Sequence, residues 1–88
     1  MKVEILYAPG CSKCMRELPA LRTAAALLVS DLDWQEIDIT QAIDYAVELS
    51  VMKPPAVAIN GKLAFTALPS ADALTNAMRQ QLGAVNGY

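Results

Sequence analysis

The 88-residue chain carries a net charge of −2, and 55% of its residues are hydrophobic, which suits one small folded domain. No segment concentrates Lys and Arg into the basic patch of a nucleic-acid-binding surface, and no apolar run reaches the roughly 18 residues of a membrane span. The sequence contains no His, which excludes a Cys–His nucleophile and any metal site that needs imidazole.

The first predicted elements are a strand and a helix joined by a tight turn. Residues 2–7 alternate and then run apolar, which predicts a strand. Pro9 and Gly10 end it, since proline cannot donate to a sheet and glycine tolerates turn dihedrals. A helix is predicted from about Cys11, because apolar residues follow at intervals of three and four. Pro19 lies inside this helix and is expected to kink it.

A second strand and a second helix are predicted next. The strand covers residues 33–38, and the helix covers 41–50 with Thr40 as its N-cap. The buried face of this helix is expected to carry Ile43, Ala46, Val47 and Leu49.

The third predicted strand opens a hairpin. Residues 56–59 are all apolar, which predicts a short central strand. Asn60-Gly61 is the dipeptide typical of a type I′ turn, so residues 62–66 are predicted to return as the fourth strand.

The last predicted helix spans residues 71–82, with Ser70 as its N-cap and Gly83 as its stop. Its buried face is expected to carry Ala71, Leu74, Met78 and Leu82. A single domain is therefore predicted over residues 1–83, followed by a flexible tail at 84–88.

These elements predict an α/β fold with the order β-α-β-α-β-β-α. The first two strands should be parallel, because a helix connects them. The hairpin adds an antiparallel pair, so we expect a four-stranded mixed sheet with helices on both faces.

The two cysteines, Cys11 and Cys14, lie where the first helix is predicted to begin. The N–H groups and the dipole of a helix start favour a thiolate, and Lys13 adds a positive charge. We therefore expect Cys11 to have a lowered pKa and to attack disulfides, with Cys14 resolving the mixed disulfide and no cofactor required. The alternative interpretation of the two cysteines is a structural disulfide or a pair of buried apolar residues.

Two segments of the chain resemble the thioredoxin-like superfamily. The first is 8–14, read as Ala-Pro-Gly-Cys-Ser-Lys-Cys, with Pro19 five residues past the second cysteine. The second is 54–61, which is similar to the superfamily's cis-proline segment and makes Pro55 the cis-proline. The resemblance covers about residues 2–82, and the length is closer to glutaredoxins and small thioredoxin-like proteins than to full thioredoxin. It implies a thiol–disulfide oxidoreductase.

The resemblance also implies roles around the cysteines. Pro55 would pack against the pair and shape the groove for a partner's backbone. The implied supporting residues are Pro9, Gly10, Lys13 and Pro55. The implied substrate-binding residues are Pro54, Ala56, Ser70 and Asp72. The implied partners are a protein disulfide or small thiol and a thiol reductant or reductase. Composition and the N-terminal pattern separately predict a cytoplasmic protein that binds neither nucleic acid nor membrane, and a monomer is expected.

Three positions depart from the superfamily's pattern. Ile5 stands where thioredoxin carries a buried Asp that assists proton removal from the second cysteine, so Cys14 must use water or Glu17. Pro54 has no N–H to offer a substrate backbone, so weaker peptide or glutathione binding is expected. The Gly-Gly-Asp-type turn of glutaredoxins is missing before the last helix, which argues against glutathione dependence.

Two other classes of function compete with an oxidoreductase. Metallochaperones for Cu(I) also place Cys-x-x-Cys after a first strand, and thiolates suit that metal. Their element order is β-α-β-β-α-β, however, which differs from the order predicted for this chain. A redox-inert interaction domain with a thioredoxin fold is the third interpretation, and the intact cysteine pair argues against it.

Overall fold

The computed structural model describes residues 1–87, with side chains through residue 82. It confirms the predicted order β-α-β-α-β-β-α and adds a short 3-10 helix before the second α-helix. The strands are β1 (Lys2–Tyr7), β2 (Asp33–Asp38), β3 (Ala56–Ile59) and β4 (Lys62–Phe65). The helices are α1 (Ser12–Leu28), the 3-10 helix (Ile39–Gln41), α2 (Ile43–Glu48) and α3 (Ala71–Gly87). Within residues 1–87, none of these helices combines the length and the apolar character needed to cross a membrane.

The four strands form one mixed sheet in the order β2-β1-β3-β4. β1 runs parallel to β2 and antiparallel to β3, and β3 runs antiparallel to β4. β1 and β3 are therefore the two central strands, which explains why both are almost entirely buried. The predicted mixed sheet and the central position of the third strand are confirmed.

The hairpin between β3 and β4 turns at the predicted dipeptide. Asn60 and Gly61 have φ angles of 52° and 81°, the positive values that a type I′ turn requires at both central residues. The backbone N–H of Lys2 donates to the side-chain oxygen of Asn60 at 3.0 Å, and the backbone N–H of Asn60 donates to the carbonyl of Lys2 at 2.8 Å. The turn is thereby fastened to the start of β1.

The core has two parts, one on each face of the sheet. The larger part lies between the sheet and helices α1 and α3, and it includes Val3, Ile5, Cys14, Leu18, Leu74 and Met78. The smaller part lies against α2 and consists of Leu6, Ala46, Leu49 and Ala58. Alternation along β1 sends odd-numbered residues to the first part and even-numbered residues to the second. Helices on both faces are thus confirmed.

The second helix differs from the prediction at its start and in its buried face. Thr40 does not cap α2, whose N-cap residue is Ala42 and forms no side-chain capping bond. The side chain of Asp38 instead caps the preceding 3-10 helix, because its Oδ1 accepts from the backbone N–H of Thr40 at 2.9 Å. Ala46 and Leu49 face the sheet as predicted, whereas Ile43 and Val47 are 62% and 71% exposed. The face is centred between Ala46 and Leu49, which turns Ile43 and Val47 away from the sheet at 100° per residue.

The third helix begins as predicted and ends later. Ser70 caps it, because its Oγ accepts from the backbone N–H of Ala73 at 3.1 Å, and Leu74 and Met78 are fully buried. The helix continues past Gly83 to Gly87, since an interior glycine costs a helix only about 1 kcal/mol. The flexibility of 84–88 stays a prediction, and Tyr88 lies outside the described residues.

One carboxylate is buried in the sheet face that α2 covers. Glu4 is 3% exposed, and it accepts a hydrogen bond from the hydroxyl of Tyr45. Its other oxygen lies 3.7 Å from the ammonium group of Lys2. The hydrogen bond to Glu4, followed by burial, raises the pKa of Tyr45 to about 12.

Replacing Tyr45 with Phe is expected to destabilise the fold by about 1–3 kcal/mol at neutral pH, because buried Glu4 loses its hydroxyl donor. The pKa of Tyr45 is higher in the folded state than its ordinary value of 10.0, so its contribution is complete below pH 10 and disappears as the pH rises through about 12. Urea unfolding of both proteins at neutral pH and near pH 12 measures this.

The difference in unfolding free energy between wild type and Y45F should shrink over that alkaline range. Tyr7→Phe is the matched control, since Tyr7 points to the opposite face of β1 from Glu4. A Y45F penalty that stays constant up to pH 12, or one that Y7F reproduces, would contradict the assigned hydrogen bond.

Candidate active site at the start of helix α1

Cys11 is the N-cap residue of α1, and Cys14 lies one turn into the helix. The Cys11 backbone is extended, with φ −72° and ψ 97°, as an N-cap requires. Its Sγ accepts a hydrogen bond from the backbone N–H of Cys14 at 3.2 Å. The two cysteines are joined as a disulfide, with their Cα atoms 5.3 Å apart. A sulfur atom therefore occupies the place where Ser or Asp normally caps a helix.

The turn that delivers Cys11 depends on Gly10. Gly10 has a φ of 81°, which L side chains rarely adopt, and the backbone N–H of Cys11 donates to the carbonyl of Ala8 at 3.2 Å. Pro9 is exposed on the outside of this turn. Together these residues bring the chain out of β1 and directly into the first turn of α1.

The two sulfurs lie in different environments. Cys11 is partly exposed, whereas Cys14 is 1% exposed and belongs to the core between the sheet, α1 and α3. Lys13 is exposed in the first turn of α1, which contains no acidic residue. A partner molecule can therefore reach Cys11 directly, and the charge that the first turn of α1 itself supplies is positive.

Two cavities meet beside Cys14. A small one of about 100 Å³ has Tyr7, Gly10 and Leu18 in its wall together with both cysteines. A larger groove of about 710 Å³ runs from Cys14 along the outer side of α1. Met15 and Leu18 line both, so the groove is a continuation of the small cavity.

The residues that the resemblance implied for partner contacts lie outside the two cavities. The peptide bond between Pro54 and Pro55 is cis, and both rings are half-buried at the start of β3. Ala56 is buried and pairs with Leu6 of β1. None of these three lines either cavity.

The two candidates at the start of α3 are also outside the cavities. Ser70 uses its hydroxyl to cap α3, and Asp72 is exposed in the first turn of that helix. Glu17, suggested from the sequence as a proton acceptor, is half-buried on α1 and lines neither cavity.

Glu36 lines both cavities, although the sequence did not single it out. The parallel register pairs Ile5 of β1 with Glu36 of β2, so Glu36 stands next to the position where thioredoxin carries a buried Asp. The indole N–H of Trp34 donates to Glu36 Oε2 at 2.9 Å. Glu36 could have been found only from the register in which strands 2–7 and 33–38 pair. The hydrophobic periodicity of each strand does not reveal that register.

Comparison with known proteins places this site in a family. A family model described as a thioredoxin domain matches residues 1–79. A probable thioredoxin from Methanothermobacter thermautotrophicus is 28% identical over 82 residues, which are 93% of this chain and 96% of the relative. A thioredoxin from Methanocaldococcus jannaschii is 24% identical over 82 residues, with the same coverage of both chains.

A solved structure shows the same architecture over its whole length. Thioredoxin 1 from the thermophilic eubacterium Thermosipho africanus TCF52B is 27% identical and has a TM-score of 0.75. The match covers 98% of this chain and 99% of that thioredoxin. Since the family model covers most of the sequence and the cysteine pair is bonded at the helix start, the chain belongs to the thioredoxin domain family and is a thiol–disulfide oxidoreductase.

Proposed function

We propose that Cys11 is the attacking and Cys14 the resolving cysteine. The Cys11 thiolate attacks a partner disulfide, one partner sulfur leaves as a thiolate, and Cys11 remains in a mixed disulfide. The Cys14 sulfur then loses its proton and attacks Cys11, which releases the second partner sulfur and forms the Cys11–Cys14 disulfide. The partner gains two electrons, the cysteine pair loses two, and a reductant restores the dithiol.

The N-cap position of Cys11 is the observation that carries this assignment. A thiolate there accepts the backbone N–H of Cys14 and lies at the positive end of the helix dipole. Cys14 has neither advantage, because it is buried inside the first turn. Partial exposure of Cys11 supports the same order of attack, since only Cys11 can be approached by a large partner.

Four supporting residues belong to the proposed site. Gly10 and Pro9 form the turn before Cys11, and Lys13 adds positive charge to the first turn of α1. Pro55, following a cis bond, is proposed to face the partner's backbone near the cysteines. The proposed partner-binding residues are Pro54, Ala56, Ser70 and Asp72.

The proposed partners are protein disulfides or small thiols, with a thiol reductant or reductase completing the cycle. We propose the cytoplasm as the compartment, because a cysteine pair in a cytosolic protein is usually redox-active rather than structural, and a monomer as the working form. The Cu(I) alternative loses its structural basis, since the observed order β-α-β-α-β-β-α is not that of the metallochaperone domains.

Alkylation of Cys11 with iodoacetamide across a pH series tests the assignment. In reduced, folded protein we expect Cys11 to react as a thiol with a pKa below the ordinary value of about 8.5. The reason is that the helix start stabilises the thiolate form. The rate of modification, read by mass spectrometry of the peptide that contains residue 11, gives the titration curve.

The control is the same protein unfolded in urea, where both cysteines should titrate near about 8.5 because the helix is lost. Faster modification of Cys14 than of Cys11 in the folded protein would reverse the assigned roles. A folded-state pKa of Cys11 at or above that of the unfolded chain would remove the basis for its role as nucleophile.

A further inference from the structure

The resolving step requires a proton acceptor that has not yet been assigned. Cys14 is 1% exposed, so bulk water reaches its thiol poorly. The neighbouring position on β1 is Ile5, which is fully buried and cannot accept a proton. Any acceptor must therefore come from another element that faces the cavity beside Cys14.

Glu36 is placed for this by the sheet itself. Because paired residues on neighbouring strands point to the same face, pairing of Ile5 with Glu36 sends the Glu36 side chain towards the α1 side. That is the side of the sheet whose core contains Cys14, Ile5 and Leu18. Glu36 and Cys14 accordingly line the same two cavities.

The Glu36 carboxylate is also held in place. The Trp34 indole N–H donates to its Oε2 at 2.9 Å, and Trp34 itself packs against the larger core. Oε1 is not part of this bond. Glu36 is exposed, so a proton that it accepts can pass to solvent.

The other ionisable groups near Cys14 do not provide a carboxylate. Beside Glu36 and the cysteines, those that line the cavities are Tyr7 at the end of β1 and Arg22 on α1. Lys13 and Glu17 lie on α1 outside the cavities, and no charged residue of α3 lines them within the described residues.

We propose that Glu36 accepts the proton of Cys14 in the resolving step. The S–H bond of Cys14 breaks as the proton moves to the carboxylate, and the sulfur forms its bond to Cys11 while the bond from Cys11 to the partner sulfur breaks. The partner leaves as a thiolate, and Glu36 returns the proton to that thiolate or to water. The inference rests on the roles proposed above for Cys11 and Cys14.

Reaction of the reduced protein with dipyridyl disulfide, an uncharged reagent, separates the two steps in a stopped-flow trace. The first release of pyridinethione reports attack by Cys11, and the second reports attack by Cys14. In E36Q we expect the second phase to slow by about 10-fold or more near pH 7, with no comparable slowing of the first phase. The difference between the two proteins should shrink as the pH rises, because hydroxide then removes the proton without a carboxylate.

Two further variants sharpen this result. E17Q removes the other candidate carboxylate, and both phases should match wild type. E36D keeps the charge on a shorter side chain and should recover part of the second-phase rate at pH 7. Circular dichroism of each variant confirms that the fold is retained.

The outcomes distinguish the competing explanations. A second phase that is faster in E36Q would mean that Glu36 only repels the Cys14 thiolate, and an unchanged second phase would mean that Glu36 takes no part; either overturns the proposal. If wild type shows a first phase but no second, the role of Cys14 as resolving cysteine fails instead.

Discussion

Replacing Cys11 with serine is expected to abolish the reduction of insulin disulfides, lowering turnover by at least about 1,000-fold. A serine hydroxyl is not ionised at neutral pH, so the helix start has no anion to stabilise, and no mixed disulfide can form. Cys14 cannot substitute for it, because it is 1% exposed in the core. Turbidity of precipitating insulin chains, with dithiothreitol as reductant, measures the loss.

The Cys14→Ser variant separates the attacking role of Cys11 from the resolving role of Cys14, which the C11S variant alone cannot do. It should lose multiple turnover but still carry out the first attack, so that it accumulates as a covalent adduct with its substrate. Mass spectrometry should find one adduct per chain in C14S, attached at Cys11, and none in C11S. If C11S traps substrate and C14S does not, the order of attack is the reverse of the one assigned.

Replacing Leu74 with alanine is expected to cost about 2–5 kcal/mol of unfolding free energy. Leu74 is fully buried on α3 and packs in the core that also contains Cys14 and Leu18. Truncation leaves a cavity that this small core cannot fill by relaxing. The loss is a large part of the roughly 5–15 kcal/mol that holds a typical domain folded. Urea unfolding, followed by circular dichroism, gives the value.

Leu27→Ala is the matched control, because it makes the same chemical change on a helix. Leu27 is 85% exposed on α1, so its loss should change the unfolding free energy by no more than about 0.5 kcal/mol. Comparable losses in both variants would show that α3 does not pack on the sheet as described. A small loss in L74A alone would place Leu74 outside the core.

Local chemistry made much of the fold predictable. The Asn60-Gly61 turn and the Ser70 cap were predicted from single positions, because each acts through its own backbone geometry or side-chain oxygen. The start of α2 was not predictable in this way. Asp38 caps the 3-10 helix through its bond to the Thr40 N–H, and α2 then begins after Ala42, which forms no side-chain capping bond.

The site was predictable only where its residues are close in sequence. Cys11 and Cys14 lie within one turn of the same helix, so their spacing indicates their chemistry. Glu36 is brought to Cys14 by the pairing of β1 with β2, which depends on a register between segments about thirty residues apart. Its charge alone suggests an ordinary solvated position on a strand, and only the pairing with Ile5 places it at the cavity.

The capping bond at Cys11 joins two properties of the protein in one thermodynamic cycle. A thiolate accepts the Cys14 N–H more strongly than a disulfide sulfur does, so the first turn of α1 is held more firmly in the reduced, ionised protein. Any change along α1 that favours this capped helix start therefore stabilises the dithiol and makes the disulfide a stronger oxidant. Selection for a more stable helix and selection for a given reduction potential consequently act on the same bond.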